Sequence, residues 1–203
     1  MTKTATGLFD TYEHALGAVH ALKDAGITSA DVSLIANSPE GVGEDENVVG
    51  KDVTAGAELG AALGGAGGLL AGLGILAIPG LGPVLAGGWL VATALGAVAG
   101  ASVGAATGGI IGMLTSAGVP ESDAHVYAEG LRRGGALVTA RVEEDQAEAA
   151  MTILRNANGI DIEDQRRVYE QEGWTGFDEN APELSAEQIE AYRDRYPLVP
   201  PVV

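Results

Sequence analysis

The sequence predicts an α+β fold, a small acidic domain in two halves separated by a long apolar helical hairpin. Three observations carry this. Helical periodicity flanked by short strand-like runs occurs near both ends of the chain; residues 59–120 hold no ionisable side chain; and glycines within that stretch recur at strict four-residue spacing.

The first half covers residues 1–52. Thr4 to Phe9 is a strand candidate, and Tyr12 to Ala25 puts Ala15, Ala18, Val19 and Leu22 on one helical face. Gly26 stands where a helix ends on glycine, and Val32 to Ala36 is the next strand. The second half covers residues 119–163. Pro120 opens an extra helix to about Arg133, with Glu121 and Asp123 in its first turn and Arg132 and Arg133 in its last, each sign suited to the helix dipole. Ala136 to Val142 alternates as a strand, Ala147 to Ala157 is helical, and Ile160 to Glu163 reads as a last strand. Ala15, Ala18, Leu22, Lys23 and Ala25 match Ala147, Ala150, Leu154, Arg155 and Ala157 at a constant offset of 132. Two βαβ units related in this way fit a ferredoxin-like sandwich.

Between the halves, residues 53–118 form the apolar block. Glycines stand at Gly56, Gly60, Gly64, Gly68 and Gly72, and again at Gly96, Gly100, Gly104, Gly108 and Gly112. On a helix a step of four traces a shallow stripe along one side, which leaves Leu59, Leu63, Leu70 and Leu73, then Leu95, Val103, Ile110 and Met113, on the other. The run Ala77-Ile78-Pro79-Gly80-Leu81-Gly82-Pro83 breaks the helix, so the expectation is a hairpin with arms Val53 to Leu76 and Val84 to Leu114. About 20 helical residues reach ~30 Å, the thickness of a bilayer core. Ten interior glycines cost on the order of 10 kcal/mol against alanine, which close helix packing or a lipid environment must offset.

Two environments meet that need, beside the alternative of a hairpin buried within its own chain. The hairpin enters a membrane, with both termini in the cytoplasm and Trp89 anchored at the far interface; or hairpins from several copies bury one another in a soluble cytoplasmic homo-oligomer. The positive-inside signal is weak, because the near flanks carry Lys51 but also Asp52, Glu58, Glu121 and Asp123. Residues 164–203 read as an acidic tail. In it Trp174 and Phe177 dock onto the sheet, and Ser185 with Gln188 caps a short helix from Ala186 to about Arg195. The protein partner of the tail is open.

Composition excludes several function classes. Twenty-eight acidic against 11 basic residues give a net charge of -17, which argues against nucleic acid as a partner. There is no cysteine, and His14, His20 and His125 are too few and wrongly spaced for a metal site. Gly50-Lys51-Asp52 lacks the hydroxyl of a phosphate loop, Gly72-x-Gly74 has no preceding strand, and Ser102 and Ser116 have no base nearby in sequence. No catalytic, cofactor-binding or metal-binding residue is nominated, and an enzyme is not expected. A carrier enclosing an apolar ligand such as a lipid or quinone is the rival from another class.

The opening Gly7-Leu8-Phe9-Asp10, the Ala25-Gly26-Ile27 helix end, the inserted glycine zipper and the tail Glu172-Gly173-Trp174-Thr175-Gly176-Phe177-Asp178 resemble bacterial general stress and low-temperature-induced proteins with a YflT-like ferredoxin-type domain. The resemblance implies a non-enzymatic, stress-associated protein and supplies no active-site residues.

Overall fold

The computed structural model describes residues 2–37, 74–93 and 109–195. It is α+β. Strands β1 (Thr2–Phe9), β2 (Val32–Ala36), β3 (Gly74–Ile78), β4 (Gly82–Gly88) and β5 (Ala136–Glu143) form a five-stranded sheet in the order β1-β5-β2-β4-β3, with every pairing antiparallel. The helices are α1 (Tyr12–Asp24), α2 (Gly109–Ser116), α3 (Glu121–Arg132), α4 (Ala147–Asn156), α5 (Ile162–Gln171) and α6 (Ala186–Arg195), and residues 89–93 are also helical.

Alternation along the strands divides the core in two. Phe9, Leu34, Ala36, Ala136 and Val138 point to one face, which α1 and α4 cover with Ala15, Ala18, Leu22, Ala150 and Leu154. The matched positions of the two helices, Ala18 with Ala150 and Leu22 with Leu154, are all sealed. Leu8, Ile35, Val84, Ala86 and Leu137 point to the opposite face, where they meet Leu90, Val91, Ile110, Leu114, Leu131 and Phe177. Local signals fix the helix ends: the Thr11 hydroxyl accepts the His14 N–H at 3.1 Å, and Ser185 and Gln188 close a capping box at 2.9 and 3.3 Å. The extra helix begins one residue after Pro120 and carries Glu121 and Asp123 in its first turn.

Two expectations are corrected. Within the expected arms, residues 74–76 and 84–88 are not helical but belong to strands β3 and β4, whereas residues 89–93 and 109–114 are helical. The run of the two strands is apolar on both faces, so periodicity does not separate a buried strand from a buried helix. β2 decides it. Buried along its whole length and paired with β5 on one side, it requires hydrogen-bonding partners on the other, and β4 supplies them from Leu85 to Gly88. Gly88, at φ +100°, makes the fit possible, because a Cβ there would stand 2.2 Å from the Val32 carbonyl oxygen. The second correction concerns Ile160 to Glu163. Only a single bridge forms, between Ile160 and Leu8, and Asp161 then caps α5 by accepting the N–H groups of Glu163 and Asp164 at 2.9 and 3.1 Å. The tail therefore starts later than residue 164.

Candidate assembly surface

The hairpin of the charge-free block occupies an edge of the sheet, and its turn explains how. Pro79 fixes φ at the first turn position and Gly80, at φ +77°, takes the left-handed one, while the Leu81 N–H closes the turn on the Ile78 carbonyl at 3.0 Å. The turn is pressed onto the domain. Leu81 is buried, its carbonyl accepts from Asn37 Nδ2 at 3.4 Å, and the Phe177 ring lies against Gly80.

The register sets what the edge offers. Ala77 stands opposite Pro83, which has no N–H to exchange, so this is the wide pair of the ladder and the bonds to β4 run through the alternate residues. Ile75 and Ala77 therefore direct their N–H and C=O groups outward. Among the described residues β3 pairs with β4 alone. Ile75 is 39% exposed, Ala77 is exposed and Leu76 is half-buried, and the strand has neither charge nor proline. Sequence reasoning missed these residues by assigning Ile75 and Leu76 to a helix. The available signal was a Pro-Gly turn between two short apolar runs.

The nominated zipper glycines are for the most part not placed: Gly56, Gly60, Gly64, Gly68, Gly72, Gly96, Gly100, Gly104 and Gly108 lie outside the described residues. Gly112 is in α2, and beyond its own helix no heavy atom of the described residues lies within 4 Å of where its Cβ would stand. It lines an open groove of about 470 Å³ with Ile111, Thr115, His125, Phe177 and Glu179. Trp89 starts the helical turn after β4, half-buried, with the Arg141 guanidinium 5.1 Å from its ring centroid. Arg141 is held in turn by Asp31 at 2.7 and 3.1 Å. The Thr28 hydroxyl first, and then Arg141, hold the Asp31 carboxyl below its ordinary value.

Phe177 is buried among the residues of the second face, and its N–H donates to His125 Nδ1 at 3.1 Å. Trp174 meets Tyr169 edge to face at 5.5 Å. A cluster that sequence reasoning did not find joins this region to α3. Arg133 reaches Glu129 and Glu172 at 2.6 Å each, and its guanidinium lies 4.3 Å from the Tyr169 ring and 4.4 Å from the Tyr192 ring. Burial works against the charge on Arg133, but the bonds to Glu172 and Glu129 outweigh it and raise its pKa. Burial likewise drives the Tyr169 phenol well above its ordinary value. The cluster holds α5 and α6 against the end of α3, since Arg133 contacts each of its other members.

Among the described residues, no group of three or more His, Asp or Glu is arranged to hold a metal ion, and no helix is long and apolar enough to cross a membrane. In comparisons with family models, curated proteins and solved structures, nothing matches this chain.

Proposed function

We propose that the protein is a non-enzymatic structural protein that assembles with further copies of itself through its charge-free block. One observation carries the reading: the middle of the block is a β-hairpin seated on the acidic domain. A hairpin inserted in a membrane requires the tip, residues 77–83, to lie a bilayer away from both acidic flanks. Here Leu81 bonds Asn37 and Gly80 touches Phe177, so the tip and both flanks meet. The charge distribution argues the same way. A chain of net charge -17 repels its own copies except where charge is absent, and residues 59–120 are that place.

Within this reading the sheet is a ferredoxin-like core with its last strand reduced to the Leu8–Ile160 bridge and its opposite edge extended by β4 and β3. The resemblance to general stress proteins makes stress the condition under which assembly is needed. Sizing by light scattering without detergent, together with flotation on vesicles, tests the proposal. A defined particle of several times 20.4 kDa that does not float supports it. A monomer at every concentration, or a protein found only with the vesicles, sinks it.

A further inference from the structure

The outer edge of β3, unpaired among the described residues, also specifies how two copies meet. We infer that β3 pairs with β3 of a second copy, antiparallel about a two-fold axis through Leu76, so that two five-stranded sheets become continuous. This rests on the self-assembly reading above and makes it specific.

The register follows from the backbone. The groups that β3 turns away from β4 belong to Ile75 and Ala77, because Pro83 makes Ala77 a wide-pair residue. With Leu76 on the axis, Ile75 faces the partner's Ala77 and Ala77 faces the partner's Ile75. Each such pair exchanges both of its N–H···O=C bonds, and every outward group of the two strands is satisfied. Leu76 meets the partner's Leu76 in the close, non-hydrogen-bonded position, where side chains approach most nearly. Gly74 stands beside the partner's Ile78, a small residue beside a large one. A shift of one residue in the pairing sum aligns outward groups with inward ones and loses these bonds.

Charge favours the same occupant. No residue of β3 or β4 is charged. Among the described residues, acidic residues approach the hairpin at its turn, where Glu183 lies beside Gly82 and the backbone of Asp178 and Glu179 beside Gly80. Antiparallel pairing sends the two turns to opposite ends of the joined strands, on the order of 25 Å apart at about 3.3 Å per residue, beyond a screening length of ~8 Å. The edge carries no lysine, proline or bulge of the kind that blocks such pairing elsewhere.

The test uses Ala77→Pro, Ile75→Lys and Ala77→Glu in the full chain, sized by sedimentation with far-UV circular dichroism as the check on folding. Ala77→Pro removes an outward N–H that the β3–β4 ladder does not use, so the fold is retained and the dissociation constant of the pair rises at least about tenfold, two backbone bonds being lost per pair. Ile75→Lys and Ala77→Glu each weaken self-pairing alone. Mixed in equal amounts they restore a heteromeric pair, because each lysine then faces the partner's glutamate. If the wild type assembles and all three variants assemble unchanged, or if the mixture gains nothing over its components, this pairing is overturned while self-assembly stands. A wild type that is monomeric throughout removes both. Unchanged assembly with a large loss of stability in Ala77→Pro means that a segment of the same chain covers the edge, and it also overturns the pairing.

Discussion

The two edges of the sheet are treated in opposite ways. β1 carries Lys3, which reaches Glu144 at 3.7 Å; the Thr4 hydroxyl donates to the Ala117 carbonyl at 2.6 Å; and the Leu8 carbonyl accepts the Ile160 N–H at 2.8 Å. Charge, side-chain cover and a bridging residue are the usual means of keeping an edge from pairing. β3, with the sequence Gly-Ile-Leu-Ala-Ile, carries no charge, and among the described residues it pairs with β4 alone. Both strands belong to one sheet and share one core, so the contrast is not a matter of overall stability. It separates a domain closed on its charged side from one left available on its neutral side.

Removing the neutral edge altogether has the largest expected effect. Gly88→Ala places a Cβ 2.2 Å from the Val32 carbonyl oxygen at φ +100°, and displaces the bond that the Leu90 N–H makes to Ser33 Oγ at 2.8 Å. A loss of about 3 kcal/mol or more in urea unfolding is expected, with assembly lost in parallel. Stability within about 0.5 kcal/mol of wild type would mean that β4 does not dock on β2, and the comparison of edges would collapse.

The same contrast explains what the sequence disclosed. Helices with one polar face were legible. α1 and α4 show their buried stripe directly, and Pro120 and Ser185 mark the starts of α3 and α6. The neutral hairpin was not, because Ile75 to Ala86 has no polar face from which to count a period; only pairing with β2 selects strand over helix. α5 was missed for the reverse reason. It buries Gln165 and Tyr169 rather than aliphatic residues, so it reads as solvated tail, and Asp161 was its remaining signal. Of the proposed zipper, Gly112 alone is placed, at a groove rather than in a helix contact. The surface at Ile75 and Ala77 depends on a register fixed by Pro83, a relation between strands that no single run of sequence contains.

The protected edge supplies a middle-sized test. Ile160→Pro deletes the N–H that caps Leu8 and leaves a carbonyl unpaired, at an expected cost of about 1–2 kcal/mol in urea unfolding. Assembly size should not change, since Lys3 still guards the strand. Combined with Lys3→Ile, the β1 edge comes to resemble β3, and sedimentation should then show open-ended chains in place of a closed pair, because each copy offers two edges. If the double variant keeps the wild-type size, edge protection is not what limits the assembly.

The smallest effect concerns the link between the charged part and the neutral block. Asp31 holds Arg141, and Arg141 lies over Trp89 at the end of β4, so the carboxylate helps to position the root of the hairpin. Because the Thr28 hydroxyl and Arg141 lower the folded-state pKa of Asp31, its contribution is fully present above the unfolded value of about 3.9 and is lost as pH falls through the folded one. Both side chains are partly open to solvent, so Asp31→Asn should cost no more than about 1 kcal/mol at neutral pH. The difference from wild type should shrink as pH falls through the lowered folded-state value, where the native carboxyl takes up its proton. Trp89 fluorescence followed through acid titration reads the same event locally, with a step in the wild type that Asp31→Asn lacks. A deficit that persists unchanged at pH 2 would assign the role of Asp31 to its hydrogen bond with Thr28, and the charged tether to Trp89 would have to be abandoned.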